Sequence, residues 1–126
     1  MSLLKDKVAL ITGAGGGIGR GVARCFAREG AAVLIAELDP VTGAEAEHEL
    51  RQMGGRALFV RTDVLSKDSV EASIQAAVDH FGGLDILVNN AFVPSENVLL
   101  EDKTDAMLER TLTSTVWASW WAMRAA

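Results

Sequence analysis

The sequence contains no tyrosine, one cysteine and two prolines, and aromatic side chains make up only 6% of its 126 residues. A lone cysteine, Cys25, excludes an internal disulfide. Basic residues are also short: 12 Lys and Arg stand against 17 Asp and Glu, a net charge of −5. That balance argues against a nucleic-acid surface, which needs a basic stripe, and equally against an anionic membrane surface. No apolar run approaches the roughly 18 residues of a membrane span. Nor is there a low-complexity tract or a linker rich in Pro, Gly and Ser, so residues 1–126 read as one domain. Met1 to Lys7 is too short and too charged for a secretory signal, which makes a cytoplasmic location the expectation. Met1-Ser2-Leu3 also suits an appended leader. His48 and His80 fall on polar parts of helical patterns without a second ligand at metal spacing, and read as surface residues.

What the chain does have is apolar residue, 49% of the total, in four short runs separated by amphipathic segments. The runs are Val8–Ile11, Ala32–Ala36, Ala57–Val60 and Leu84–Val88. Their alternation with helical patterns predicts βαβαβαβ, an α/β fold with a doubly wound parallel sheet, for which the Rossmann arrangement would give the order 3-2-1-4. The punctuation agrees with it. Gly30 stands where the first helix should stop, Asp39-Pro40 reads as a cap followed by proline in the first turn, and Gly54-Gly55 follows the second helix. Ser66 caps a third helix with Val70, Ile74, Ala77, Val78 and Phe81 on its apolar face, and Gly82-Gly83 closes it. The spacing of Ile18, Val22, Cys25 and Phe26 predicts the buried face of the first helix, with Cys25 a small core residue. A last helix begins near Asp105 and carries Trp117, Trp120 and Trp121, which suit a core more than a subunit contact.

Chemistry concentrates in Thr12-Gly13-Ala14-Gly15-Gly16-Gly17-Ile18-Gly19, between the first strand and the first helix. A strand passing through tight glycines into a helix gathers backbone N–H groups and the positive helix end at one point, a phosphate site built from backbone. Gly13 allows the turn, Gly17 lets backbone approach a diphosphate, and Gly19 allows close helix packing. The competing interpretation is a merely flexible loop. A P-loop is disfavoured because no Gly-Lys-Ser/Thr follows. Glu37, at the end of the second strand, suits hydrogen bonds from an adenosine ribose and would repel a 2′-phosphate, which favours NAD over NADP. Arg20 and Arg24 remain candidates for weak phosphate neighbours. Asp63-Val64 and Asn89-Asn90-Ala91 follow the third and fourth strands, so the ends of all four strands bring small or polar groups to one edge.

Taken together, Thr12-Gly13-x-x-x-Gly17-Ile18-Gly19, Asp63-Val64 and Leu84-Asp85-Ile86-Leu87-Val88-Asn89-Asn90-Ala91 resemble the short-chain dehydrogenase/reductase family over essentially the whole chain. The resemblance implies a Rossmann fold, truncated after the fourth strand and part of the following helix. It implies that Gly13, Gly17, Ile18 and Gly19 hold the diphosphate, Glu37 the adenosine ribose, and Asp63 and Val64 the adenine. Asn89, Asn90 and Ala91 would support the central strand and line the cofactor. The activity implied is hydride transfer between the nicotinamide of NAD(P) and a secondary alcohol or ketone, without metal, in a homodimer or homotetramer. Two positions depart from the pattern. Phe92 stands where the family has glycine, and Thr115 aligns with a helical asparagine. The catalytic tyrosine, with its lysine four residues on, has no counterpart here. The expectation is therefore a cofactor-binding half of a longer oxidoreductase, with a non-catalytic dinucleotide-binding module as the alternative. A methyltransferase would share the glycine turn and the acid but not the later motifs. An isolated 126-residue chain with its fourth strand at an exposed edge should also be poorly soluble.

Overall fold

The computed structural model describes residues 2–126. Four strands, β1 (Val8–Thr12), β2 (Ala32–Glu37), β3 (Arg56–Arg61) and β4 (Ile86–Val88), form one parallel sheet in the order β3-β2-β1-β4. Between them run α1 (Gly17–Arg28), α2 (Pro40–Gln52) and α3 (Lys67–Phe81). After β4 come a 3-10 turn at Leu100–Asp102, α4 (Asp105–Leu112), a π-helical turn at Thr113–Trp117 and α5 (Ala118–Ala125). The doubly wound α/β arrangement and strand order agree with the sequence reading. Among the described residues no helix is long and apolar enough to cross a membrane.

The central strands are apolar up to their last residues, Thr12 and Glu37, as suits a sheet with helices on both faces. Alternate residues divide between two cores. Leu10 and Leu34 join Val70, Ile74, Ala77 and Ala122 from α3 and α5. Ile11, Val33 and Ile35 join Ala23, Ala46 and Leu50 from α1 and α2. Leu10, Ile11, Leu34 and Ile35 are completely buried, and each contributes about 1.5–3 kcal/mol of transfer free energy.

The helix ends follow the predicted chemistry. The Asp39 carboxylate accepts from Val41 N–H at 2.9 Å, and Ser66 Oγ accepts from Ser69 N–H at 3.3 Å. Gly30, Gly54 and Gly82 take left-handed φ angles of 93°, 84° and 89° after α1, α2 and α3. His48 and His80 are exposed, as read.

Several expectations need correction. Cys25 is exposed, not in the core. The inner face of α1 is built on Gly19 and Ala23, two small residues that bring the helix close to the sheet, with Val22, Phe26 and Ala27 at its margins. Cys25, two positions beyond Ala23, then points away from the sheet. Ile18 is likewise not on the buried face, being 80% exposed. On α3, Val70, Ile74 and Ala77 are buried but Val78 is not. Strand β4 starts at Ile86, not Leu84, because Asp85 acts as a cap: its carboxylate accepts from Val8 N–H at 2.8 Å while its own N–H donates to Val8 C=O at 2.9 Å.

The last helix is not continuous. Thr113, Ser114, Thr115 and Ser119 turn their hydroxyls back onto the carbonyls of Glu109, Thr111 and Thr115 at 2.7–3.1 Å. Such back-bonding competes with the helical ladder and accompanies the π turn. Of the three tryptophans only Trp121 packs on a core, while Trp117 and Trp120 are half exposed.

Candidate functional site

The carboxyl ends of the strands surround a cleft of about 500 Å³, within the size range of sites for small molecules. Gly13, Gly17, Ile18, Glu37, Asp63, Val64, Asn90 and Ala91 all line it. Gly19 and Asn89 do not. A Cβ on Gly19 would come within 2.3 Å of Gly13 O and 2.6 Å of Asn90 Nδ2, so its role is to let α1 start directly beneath the turn. Asn89 is exposed and faces a small second cavity with Val70, Ser114 and Ala118.

The floor of the cleft is a cross-link between the ends of β1 and β4. Thr12 Oγ1 accepts from Asn90 N–H at 3.0 Å and Ala91 N–H at 2.9 Å. Asn90 Nδ2 returns a hydrogen bond to Thr12 C=O at 3.0 Å. The chain then turns at Gly13, where φ is +66° and the N–H donates to Ala36 C=O at 2.8 Å. Gly17 also has positive φ, at +53°, and a Cβ there would meet nothing within 4 Å. Its backbone is thus open to the cleft. No side chain caps the start of α1, and no acidic residue lies in its first turn. The positive end of α1 is thus left without a side-chain cap at the edge of the cleft.

Glu37 stands at the rim with its side chain folded over Gly15. Its carboxylate accepts from Leu38 N–H at 2.8 Å and, more weakly, from Thr42 Oγ1 at 3.5 Å. Any Cβ on Gly15 would lie 2.5 Å from the Glu37 Oε1, so this glycine makes room for the acid. Asp63 is set by the start of α3: its N–H donates to Ser69 Oγ at 2.8 Å, and its carboxylate accepts from Leu65 N–H at 2.9 Å.

Arg20 and Arg24 are not free in the way the sequence left open. Both pair with Glu49 of α2, Arg20 through Nε at 2.7 Å and Arg24 through Nε and Nη2. Hydrogen bonding to Arg24, then to Arg20, holds the Glu49 carboxyl below the usual carboxylate range. The same contact raises Arg24. Phe92 is 64% exposed and lines the cleft with Val93 and Arg110. Thr115 is exposed, its hydroxyl donating to Thr111 C=O at 2.7 Å. The helix residue facing the strand ends is buried Ser114, whose Oγ accepts from Val93 N–H at 3.1 Å.

Sequence reasoning gave Thr12, Thr42, Ser69 and Ser114 no role. Hydroxyls are common in turns, and only the fold shows that Thr12 and Ser114 bridge distant segments while Thr42 and Ser69 hold the nearby Glu37 and Asp63.

Comparison with known proteins fits this geometry. The sequence model of the family described as short chain dehydrogenase matches residues 7–126. An uncharacterized oxidoreductase of Thermotoga maritima is 44% identical over 99 residues, covering 79% of this chain and 39% of that protein. The NAD+-bound xylitol dehydrogenase structure superposes with a TM-score of 0.91 at 31% identity, covering 98% of this chain and 47% of that one. A short chain dehydrogenase from Burkholderia cenocepacia in complex with NADP gives 0.92 at 34% identity, covering 98% and 50%. The chain thus spans half or less of the length of these relatives. On this match, the chain belongs to the short-chain dehydrogenase family.

Proposed function

We propose that the cleft binds a nicotinamide dinucleotide and that these 126 residues are the cofactor-binding domain of an oxidoreductase. The observation that carries the reading is the open backbone at Gly17 beside the uncapped start of α1, with Glu37 at the same rim. Those groups suit the diphosphate and the adenosine ribose. Gly13, Gly17 and Ile18 border the diphosphate, Gly19 supports them from behind, and Glu37 accepts from the ribose hydroxyls. Asp63 and Val64 border the adenine. Asn90 and Ala91 hold the central strand ends, and Asn89 supports the same segment from its far side.

The cofactor supplies a hydride acceptor or donor, and the whole protein would move that hydride to or from a secondary alcohol or ketone. The residues present bind and orient. Phe92 and Val93, held by Ser114, form a wall where substrate would approach. The full protein is proposed to act in the cytoplasm as a homodimer or homotetramer, with the half-exposed Trp117 and Trp120 on the contact face.

NAD is preferred over NADP in this reading, because the Glu37 carboxylate repels a 2′-phosphate. The relatives bound to NAD+ and to NADP support the cofactor class and leave the choice to Glu37. Fluorescence titration of the full-length protein with NADH and NADPH tests it. Tighter NADH binding is expected. Tighter NADPH binding overturns the preference, and binding of neither overturns the reading. A second reading, a dinucleotide-binding module without chemistry, rests on Phe92 at the family's glycine position. It predicts NADH binding with no oxidation of any secondary alcohol.

A further inference from the structure

The choice between the two cofactors turns on what surrounds the ribose 2′-position. A phosphate there carries about −1.5 to −2 charges and binds where cationic donors are free to reach it. Glu37 is one term, and a negative one. Arg20 approaches the same corner from α1. Its Nη1 donates to Gly15 C=O at 3.3 Å, and the Glu37 carboxylate rests against the same residue, 2.5 Å from where a Gly15 Cβ would be. A single glycine therefore separates guanidinium from carboxylate. Arg24 follows one turn later on α1.

Neither arginine faces the rim. Glu49 takes both, accepting from Arg20 Nε at 2.7 Å and from Arg24 Nη2 at 3.2 Å as well as from its Nε. Glu45 stands 3.8 Å from Arg20 Nη1 as a second, looser carboxylate. Two guanidiniums converge on one carboxylate that is only 29% exposed. This holds Arg20 along the α1–α2 seam, away from the ribose rim.

We propose that Glu49 is a specificity-determining positioning residue: by engaging Arg20 and Arg24 it withholds them from a ribose 2′-phosphate, so NAD preference rests on Glu37 and Glu49 together. The inference rests on the proposed dinucleotide reading and adds to it a second layer. Glu37 repels the phosphate. Glu49 holds back the two α1 cations that would attract it.

Glu49→Gln keeps the shape of the side chain and removes its charge. Arg20 then loses its close charged partner and can turn past Gly15 toward the rim. In the parent background it would meet Glu37, so the cleanest measurement is made with Glu37→Gln also present. The experiment titrates NADH and NADPH against the full-length protein as parent, Glu37→Gln, Glu49→Gln and the double variant. One new charge-assisted contact predicts that adding Glu49→Gln to Glu37→Gln lowers the NADPH-to-NADH ratio of dissociation constants about tenfold. Adding Arg20→Met to the double variant should reverse that drop.

A purely structural role for the α1–α2 ion pairs would weaken both cofactors alike. An unchanged ratio in the double variant overturns the inference, whether or not both affinities fall. A drop that survives both Arg20→Met and Arg24→Met overturns it too. If the parent protein binds neither cofactor, the dinucleotide reading itself fails. If the parent binds NADH and only the ratio test fails, that reading stands and Glu49 has no part in selectivity.

Discussion

At the scale of single residues, the hydroxyl of Thr12 fixes the cleft floor. It is 4% exposed and accepts from the N–H groups of both Asn90 and Ala91, so the ends of β1 and β4 are joined through one oxygen. Thr12→Val keeps the volume and removes the acceptor. The two donors are part-buried, so water recovers some of the roughly 1–3 kcal/mol that each would cost if fully buried and unpaired. Urea denaturation should show Thr12→Val destabilised by about 1–3 kcal/mol, with Thr12→Ser close to the parent. Equal midpoints for Val and parent would mean that the cross-link carries no weight. The motif that led to the site was legible here because glycines and a strand-end acid have few other uses in that order. Thr12 was in plain view within the same motif, but nothing in one dimension says that its oxygen meets residues after β4.

At the scale of elements, the strands and caps follow from local chemistry, which is why their order could be written down in advance. The faces of α1 and the break before α5 could not. Hydrophobicity points to Ile18 and Cys25, yet close packing selects Gly19 and Ala23, since a helix lies nearest a sheet where its side chains are smallest. The same principle governs α2, where Gly43 is buried against β3. A Cβ on Gly43 would fall 1.9 Å from the Phe59 ring. Alanine in a helix gains up to about 1 kcal/mol over glycine, whereas overpacking a core costs about 1–3 kcal/mol. The second effect should win. Gly43→Ala is expected to lower the unfolding midpoint, and Phe59→Leu in the same chain to recover part of the loss. A Gly43→Ala variant more stable than the parent would show that α2 has slack above β3. For the π turn, the cue was the run Thr113-Ser114-Thr115, whose hydroxyls compete for helical carbonyls. A helical period count does not register that competition.

At the scale of the whole molecule, the parallel sheet collects the ends of β1, β2, β3 and β4 along one edge, and the glycine turn, Glu37, Asp63 and Asn90 meet there although they are far apart in sequence. Along α4, the π turn and α5, Leu108, Leu112, Val116, Trp117, Trp120 and Met123 form half-exposed apolar surface. The proposed function stands on the open backbone at the start of α1 as the receiver of the cofactor's diphosphate. The direct test is to follow backbone amide resonances of the isotope-labelled full-length protein as NADH is added. The largest shifts are expected at Gly16, Gly17 and Ile18, with smaller ones at Glu37 and Asp63. Saturable binding that leaves the Gly16–Ile18 amides unmoved, while shifting residues elsewhere, would contradict it.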